Sequence, residues 1–420
     1  MNNIAIIGLG CGGFHALQAI RQGNTEIGID VYSNTGVAPY NPMLTTYYVG
    51  GKLPLEGIFP FGALEDIKKD YNVNIIHANV TKIQCKTKTV VTVEGERSYD
   101  KILIATGAGA FIPPSFMPLK DDVFCMRTLE DAEKLKAALE NNSFSNAIVV
   151  GASMVGIKVA ELLYNRGIHV TMADMTQNIF ALAAYPAVAR MIEKKLSEKG
   201  IGFRLGSAIS GAQKLPDGKF QISYADGSTD TADMLVLNIG TRTALSALDP
   251  AEIKINRGIV VNEKMETSVP DIYSAGDCCE GQNLQSGESQ IIGLWANAGA
   301  QGRCAGANMV GNDSKFLGNV LHNITHFMDM DFIGMGDNRI TGETLTYVRE
   351  DKGVFIEAIL RDGKPVGFNI LNNCLASGIF KAYFMKLLQS DLCSFTPVQR
   401  GMLEQHGVSR TFLADLEGRI

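Results

Sequence analysis

The stretch IAIIGLGCGG at residues 4–13 places an apolar run directly before a glycine-rich turn. The spaced glycines of this turn are Gly8, Gly10 and Gly13. A helix-like stretch from Phe14 to Arg21 and a second strand from Glu26 to Ser33 follow. In a strand–turn–helix unit of this kind, the first glycine permits a tight turn, the second admits a pyrophosphate and the third lets the helix pack closely on the strand. The helix N-terminus offers N–H groups and a partial positive charge to the phosphates.

The same order of features recurs in the middle of the chain. Residues 147–156 read AIVVGASMVG, in which Gly151, Ser153 and Gly156 hold the three spaced positions. A helix-like stretch, Ile157 to Arg166, and a strand, His169 to Asp174, come next. One such match is a weak signal, but two matches, each between an apolar strand and a helix, are much stronger. The repeat predicts an α/β fold with two Rossmann-like dinucleotide-binding domains.

Each repeat also has a late apolar strand that ends in glycine, Tyr99–Gly107 in the first and Ala232–Gly240 in the second. Apolar runs this continuous indicate central parallel strands that are buried on both faces. Short alternating stretches predict a small antiparallel insertion in the first repeat. These stretches are Val73–His77, Val80–Gln84 and Thr89–Val93.

After residue 330 the pattern changes and predicts a separate C-terminal α+β domain. Its expected strands are Thr344–Arg349, Val354–Arg361 and Pro365–Leu371, with Asp362 and Gly363 as a tight hairpin turn. Its expected helices run from about Ala376 to Leu388 and from about Pro397 to Gln405. His322 and His326 stand four residues apart, a spacing that can bind a metal on a helix, but two ordinary polar positions are the favoured interpretation.

The composition of the 420-residue chain is that of a globular protein, with 46% hydrophobic and 20% charged residues. The net charge of −6 gives no reason to expect a nucleic acid or an anionic membrane as a partner. No apolar run reaches the roughly 18 residues of a membrane span, and the N-terminus lacks the basic region of a signal peptide. Eight scattered cysteines without zinc spacing predict reduced thiols in a cytoplasmic protein and no metal.

Six motifs resemble those of the FAD-dependent pyridine-nucleotide disulfide oxidoreductase superfamily. The closer likeness is to the branch that contains rubredoxin reductase, NADH oxidase, nitrite reductase flavin domains and apoptosis-inducing factor. The motifs are GLGCGG at 8–13, APYNP at 38–42, ATG at 105–107, GASMVG at 151–156, NIGTR at 238–242 and VPDIYSAGDCCE at 269–280. The resemblance implies a discontinuous FAD-binding domain (1–112 and 246–322), an NAD(H)-binding domain (113–245) and an interface domain (323–420).

The resemblance also implies the residues that contact FAD. Gly8, Gly10 and Gly13 would hold its pyrophosphate, Pro39, Thr106 and Gly107 would lie beside it, and Asp277 would bond its ribityl-pyrophosphate region. The residues around Asp277 support this role independently, because a strand, Asp271–Ala275, ends there in a glycine turn with an acid. A helix from about Ile291 to Met309 follows, and its start can face the flavin and stabilise negative charge. The alternative is that Asp277 is a turn-former and N-cap.

For the nicotinamide dinucleotide the implied residues are Gly151, Ser153, Gly156 and Gly240. Asp174 ends the second strand of this repeat, where an acid bonds the ribose hydroxyls and repels a 2′-phosphate. This favours NADH over NADPH, and the alternative is a solvated loop aspartate. Ser33 falls at the matching position of the first repeat, where it can bond a ribose hydroxyl more weakly than a carboxylate.

Two departures from the superfamily concern the flavin. The loop at 38–46 contains no cysteine, and Met43 lies near the expected slot, where a thioether cannot act as a thiolate. Cys11, Cys278 and Cys279 are interpreted as small residues that fill tight turns, with a redox role as the lesser alternative. Lys158 takes the place of a glutamate whose lysine partner would fall near Thr46. We predict that Lys158 lies near the flavin or nicotinamide, as a candidate catalytic residue. A surface lysine is the alternative, and Glu161 could pair with it.

The resulting functional hypothesis is an FAD-dependent NADH:acceptor oxidoreductase. Electrons would pass from NADH through FAD to a redox protein or to a partner subunit of a larger oxidoreductase, without a cysteine relay. An NADH oxidase or small-molecule reductase is a second hypothesis, and an FAD- and NADH-binding structural or regulatory module is a third. The C-terminal domain is expected to meet a second copy of the chain, as a homodimer, or a partner subunit.

Overall fold

A computed structural model describes residues 3–390 and 394–418 of the chain. The chain folds as two compact units, Met1–Gly109 with Thr241–Asn319 and Ala110–Gly240 with Val320–Ile420. The two glycine-turn repeats lie in different units.

The helices and strands follow one another in this order. The strands up to residue 110 are β1 (Asn3–Ile7), β2 (Gly28–Ser33), β3 (Asn74–His77), β4 (Val80–Gln84), β5 (Thr89–Thr92), β6 (Gly95–Ser98), β7 (Lys101–Ile104) and β8 (Ala108–Ala110), and the helices are α1 (Cys11–Gly23), α2 (Thr45–Val49) and α3 (Leu64–Asp70). Up to residue 240 come α4 (Leu129–Asn141), β9 (Asn146–Val150), α5 (Met154–Tyr164), β10 (His169–Asp174), α6 (Pro186–Glu198), β11 (Gly202–Leu205), β12 (Ile209–Lys214), β13 (Phe220–Tyr224), β14 (Thr229–Ala232) and β15 (Met234–Leu237).

The remaining elements complete both units. Up to residue 319 they are β16 (Thr241–Thr243), β17 (Ile259–Val260), β18 (Ile272–Ser274), β19 (Cys279–Gln282), β20 (Ser289–Gln290) and α7 (Trp295–Met309). Beyond it are β21 (His322–Phe327), β22 (Met330–Gly336), β23 (Glu343–Arg349), β24 (Val354–Arg361), β25 (Lys364–Leu371), α8 (Ser377–Gln389), α9 (Pro397–Gln405) and α10 (Arg410–Leu416). Short segments of 3-10 helix lie at Pro42–Leu44, Leu55–Ile58, Pro114–Leu119, Glu350–Lys352 and Cys374–Ala376.

The first unit is built on a parallel sheet with the strand order β18-β7-β1-β2-β3. Strand β1 lies at its centre, and Ile4, Ala5 and Ile6 are fully buried, as the apolar run predicts. Strands β4, β5 and β6 form the predicted antiparallel insertion. The assignment of Val73–His77 to that insertion was wrong, because β3 pairs in parallel with β2 and satisfies the outer backbone edge of that strand.

Helices α1 and α7 of this unit pack with their backbones in contact. A Cβ atom at Gly302 would lie 2.1 Å from the carbonyl oxygen of Gly12, and one at Gly306 would lie 2.4 Å from that of Ala16. Both separations are far below van der Waals contact, so the packing requires glycine on α7. The predicted start of this helix, about Ile291, was too early, because Leu294 has an extended backbone and caps α7, which begins at Trp295.

The second unit contains a parallel sheet with the order β11-β10-β9-β15. The prediction that Ala232–Gly240 is a central strand was wrong, since β15 ends this order. The strand is nevertheless buried throughout. Its outer edge is covered by a bridge to Phe124, and the side chains of Phe220 and Tyr224 belong to the cluster that packs on it. The apolar run therefore predicted the burial of this strand correctly and its place in the order of the sheet incorrectly.

The C-terminal part of the second unit is an antiparallel sheet with the order β21-β22-β25-β24-β23, followed by helices. Asp362 and Gly363 have φ angles of 52° and 73°, the conformation of the predicted hairpin turn. The helical metal motif is excluded, because His322 and His326 lie on a strand and face different partners, Ser377 and Asp331. Residues 3–390 and 394–418 contain no cluster of His, Cys, Asp and Glu that could hold a metal ion.

The described helices include none with the length and apolar character needed to cross a membrane. The predicted α/β architecture, with two Rossmann-like dinucleotide-binding regions and a C-terminal α+β region, is confirmed.

Candidate functional site

The first glycine turn brings three backbone segments into direct contact. Gly8 has a φ of +101°, and a Cβ atom there would lie 2.3 Å from the carbonyl oxygen of Ala105. A Cβ atom at Gly13 would lie 2.0 Å from the carbonyl oxygen of Gly8. Side chains are therefore excluded at Gly8 and Gly13 by the fold itself.

Gly10 differs from its neighbours because nothing lies within 4 Å of the place where its Cβ atom would stand. Helix α1 begins at Cys11 with Gly10 as its N-cap, and no side chain caps its first turn. The first N–H groups of a helix have no partner within the helix and need one from elsewhere. Open space beside uncapped N–H groups fits the diphosphate of a dinucleotide, so these residues can hold FAD as the sequence predicts.

The second glycine turn has the same geometry. Gly151 has a φ of +102°, and its Cβ atom would lie 2.3 Å from the carbonyl oxygen of Asn238. A Cβ atom at Gly156 would lie 1.9 Å from the carbonyl oxygen of Gly151. The middle position departs from the first turn, because the Ser153 hydroxyl caps helix α5 by accepting a hydrogen bond from the Gly156 N–H at 3.3 Å.

The two repeats can be aligned by one hydrogen bond that they share. The N–H of Gly8 donates to the carbonyl of Tyr32 at 2.8 Å, and the N–H of Gly151 donates to the carbonyl of Ala173 at 2.8 Å. Ser33 and Asp174 directly follow these acceptors and therefore hold equivalent positions.

Asp174 is half-buried and organises the turn around it. One carboxylate oxygen accepts from the N–H of Ala152 at 2.8 Å, and the other accepts from the N–H and the hydroxyl of Thr176 at 2.9 and 2.8 Å. Because a carboxylate has about four acceptor sites, the group can still accept ribose hydroxyls. Ser33 is 5% exposed, and its hydroxyl contacts that of Thr35 at 3.2 Å.

Gly107 and Gly240 each lie just after the late strand of their repeat, as the sequence predicts. Thr106 and Gly107 directly follow Ala105, whose carbonyl faces Gly8, and Gly240 stands equivalently after Asn238. The Thr106 hydroxyl donates to the carbonyl of Ala244 at 2.7 Å, and its oxygen can still accept a hydrogen bond. Pro39 is buried in the loop that follows β2.

Asp277 lies in a tight turn that α7 holds in place. Gly276 has a φ of +86°, and its N–H donates to Oε1 of the buried Gln301 at 2.9 Å. A Cβ atom at Gly293, just before the helix, would lie 3.8 Å from the Asp277 carboxylate. The alternative that Asp277 is an N-cap is wrong for α7, whose N-cap is Leu294.

Three residues that the sequence did not single out belong to these loops. Asn238 Nδ2 and Trp295 Nε1 are buried and have no hydrogen-bond partner among the described residues. The carbonyl of Trp295 accepts from the Cys11 thiol at 3.2 Å, which places the start of α7 beside the first glycine turn. Gln301 is the third, and the sequence carried no signal for it because its partner is a distant backbone N–H.

The cysteines near the first turn are buried free thiols, as expected for small residues that fill tight turns. Cys278 and Cys279 are fully buried free thiols that donate to backbone carbonyls. Burial raises the pKa of the Cys11 thiol to about 12. A thiol with such a pKa is protonated at neutral pH and is a poor nucleophile.

Lys158 is not a surface residue, because only 11% of its side chain is exposed. Its ammonium lies 2.5 Å from Oε2 of Glu161 and 2.7 Å from the carbonyl oxygen of His326. The predicted pairing with Glu161 is confirmed. The nearness of Lys158 to the flavin or nicotinamide stays a prediction, as does its catalytic role.

Comparison with known proteins identifies the family. Residues 2–302 match the model of the pyridine nucleotide-disulphide oxidoreductases. The chain belongs to this family. It is 30% identical over 338 residues to an NADH oxidase of Methanocaldococcus jannaschii, which covers 79% of this chain and 75% of that protein.

A second relative and a solved structure extend the match. The chain is 27% identical to the epsilon subunit of the NADH-dependent phenylglyoxylate dehydrogenase of Aromatoleum evansii, over 88% of each chain. The structure of a covalent putidaredoxin reductase–putidaredoxin complex shares the fold, with a TM-score of 0.84, 21% identity and coverage of 97% of this chain and 99% of that one. As a member of this family, the protein is a flavoprotein oxidoreductase that uses FAD and NADH.

The Gly10→Val substitution separates cofactor binding from folding. Since the backbone at Gly10 is extended and the space beside it is open, we expect the apoprotein to melt as the wild type does. The side chain would fill the place of the diphosphate, so FAD affinity should fall at least about tenfold. Flavin absorbance per chain after gel filtration measures the effect.

Gly211→Val is the matched control, because Gly211 also has nothing within 4 Å of its Cβ position and lies on β12 of the other unit. Full flavin content in Gly10→Val would contradict the assignment of this turn.

Proposed function

We propose that this protein passes electrons from NADH through FAD directly to an acceptor protein, without a thiol relay. The observation that carries the proposal is the chemistry of the flavin-side loop. Residues 38–46 contain no cysteine, and Met43, near the expected slot, is 59% exposed. Burial raises the pKa of Cys11, the thiol within the first glycine turn, to about 12, so this thiol is protonated at neutral pH.

The chain's own residues have binding and positioning roles in this reaction. We assign FAD to residues 1–112 with 246–322, NAD(H) to 113–245 and the interface to 323–420. The open backbone at Gly10 and the start of α1 would bind the FAD diphosphate, and Asp277 would fix the adjoining sugar chain. Bound FAD supplies a group that takes a hydride as an electron pair and gives electrons up one at a time. Lys158 remains our candidate for a charge that influences this step.

We also propose that Asp174 sets the preference for NADH. Its carboxylate already accepts from the N–H of Ala152 in the glycine turn and from Thr176. A ribose hydroxyl could donate to its remaining acceptor site, whereas a 2′-phosphate would face a negative charge. No arginine follows among Met175, Thr176 and Gln177 to neutralise a phosphate.

For the acceptor we favour a redox protein or a partner subunit of a larger oxidoreductase. The Aromatoleum relative is a subunit of such an enzyme and matches this chain over 88% of both lengths. Oxygen is the second candidate, because the Methanocaldococcus relative is an NADH oxidase. We place the enzyme in the cytoplasm, in keeping with its free thiols, and treat the C-terminal part as the surface for a partner subunit or a second copy.

Alkylation tests the absence of a thiol relay. After anaerobic reduction with NADH and treatment with iodoacetamide at neutral pH, reduction of a ferredoxin or rubredoxin probe should proceed at the untreated rate. Mass spectrometry should find no label on Cys11, Cys278 or Cys279, which are buried. Cys374 is exposed and Cys393 lies outside the described residues, so the double variant Cys374→Ser with Cys393→Ser controls for both. Inactivation that survives this control would overturn the proposal, and rapid oxygen uptake with no protein reduction would favour the oxidase.

Substitution of Asp174 tests the choice of nucleotide. In Asp174→Asn, kcat/KM for NADH should fall about tenfold or more, since a charged hydrogen bond is replaced by a neutral one. The value for NADPH should rise or stay unchanged, because the repulsion is removed. Steady-state kinetics with both nucleotides gives the ratio, and flavin content serves as the control for folding. An unchanged ratio of kcat/KM for NADH to kcat/KM for NADPH would show that Asp174 does not discriminate between the two nucleotides.

A further inference from the structure

Besides Asp174, which accepts from the N–H of Ala152, the glycine turn of the second repeat has a further support, Phe180. Its N–H donates to the carbonyl of Ala152, the residue between Gly151 and Ser153, at 2.8 Å. Phe180 itself has a φ of +51°. A bulky residue in this left-handed region is strained, and such a conformation persists where surrounding contacts impose it.

The contacts that impose it come from the C-terminal sheet. The Phe180 ring stacks on Phe332 of β22, with centroids 5.0 Å apart and an angle of 17° between the planes. The ring also meets Phe327 of β21 edge-on, with centroids 5.7 Å apart. Phe327 and Phe332 are fully buried, and Phe180 is 3% exposed. Aromatic pairs in these orientations attract beyond the burial of their area.

Two asparagines of the C-terminal sheet region clamp the segment that follows Phe180. Asn369 accepts from the N–H of Tyr185 at 2.6 Å and donates to the carbonyl of Ala183 at 2.9 Å. Asn338 donates to the carbonyls of Ala181 and Ala184 at 2.9 and 2.8 Å. Because Asn369 is 1% exposed, its bonds are made away from water, where an unpaired amide would be costly.

Helix α5, which begins at the same glycine turn, is tied to the same sheet. Lys158 donates to the carbonyl of His326 at 2.7 Å, and Glu161 accepts from the N–H of Met328 at 3.2 Å. His326 lies near the end of β21, and Met328 lies in the turn that joins β21 to β22. The loop and the helix that flank the nucleotide's diphosphate therefore have a common support.

We propose that the C-terminal sheet positions the NADH site, with Phe180 as the positioning residue that transmits its support to the glycine turn. The inference rests on the proposed binding of NADH to the second repeat. It gives the C-terminal region a role within its own chain in addition to any contact with a partner. Loosening the aromatic stack should let Phe180 leave its strained conformation, withdraw its N–H from Ala152 and weaken nucleotide binding.

The test compares Phe332→Leu with Phe380→Leu in the FAD-loaded protein. Both remove a fully buried ring from the C-terminal region, but the ring contacts of Phe380 in the described chain are with Phe368 and Phe395. Calorimetric titration with ADP-ribose, which carries the diphosphate and ribose but no nicotinamide, measures the affinity of the site independently of turnover. Phe332→Leu should weaken binding about tenfold, while Phe380→Leu should leave it unchanged, even where both lower Tm.

Hydrogen exchange at residues 151–156 gives a second readout, which should rise in Phe332→Leu and not in Phe380→Leu. Lys158→Met, which removes the contact with the turn of β21 and β22, should act in the same direction if Phe332→Leu does not fold. Equal ADP-ribose affinity in wild type, Phe332→Leu and Lys158→Met would overturn this inference and leave the proposed function intact. Failure of the wild-type protein to bind ADP-ribose would instead refute the assignment of NADH to this repeat.

Discussion

The structure depends on backbone meeting backbone where each first strand turns into its helix. In the first repeat Gly8 approaches the carbonyl of Ala105, and in the second Gly151 approaches the carbonyl of Asn238, so closely that a Cβ atom would stand 2.3 Å from either oxygen. This contact fixes the late strand beside the first strand and directs the helix N-terminus toward open space. Both dinucleotide sites follow from it, since positive backbone groups collect at that opening.

The sequence could predict these turns because glycine spacing records a local steric demand. Strand β10, the hairpin at Asp362 and Gly363 and the helix Pro397–Gln405 were also predicted at their observed positions, since each depends on neighbouring residues alone. The lateral places of β3 and β15 could not be obtained in this way, because parallel strands are ordered by contacts between distant segments. The spacing of His322 and His326 could not decide between a helix and a strand, and the favoured interpretation of two ordinary polar positions agrees with their places on β21.

The supporting residues of the sites were missed for a related reason. Gln301 bonds Gly276, and Phe180 reaches both Ala152 and Phe332, over separations along the chain that no motif encodes. Ligand-contacting residues carry a chemical signature, such as glycine at a turn or an acid at a strand end. Residues that support them are ordinary amides and aromatics, and their role appears only when the fold brings their partners together.

The absence of a thiol in the loop at residues 38–46 distinguishes this chain from the disulfide reductases that it resembles. The number of electrons that the holoprotein accepts from NADH tests most directly whether a second redox centre is missing. Anaerobic titration of the purified holoprotein with NADH, followed by flavin absorbance, counts those electrons. The account predicts that one equivalent of NADH per flavin bleaches the absorbance completely. A requirement for two equivalents would reveal a second redox centre in the chain, and no bleaching at all would contradict the transfer of hydride from NADH to FAD.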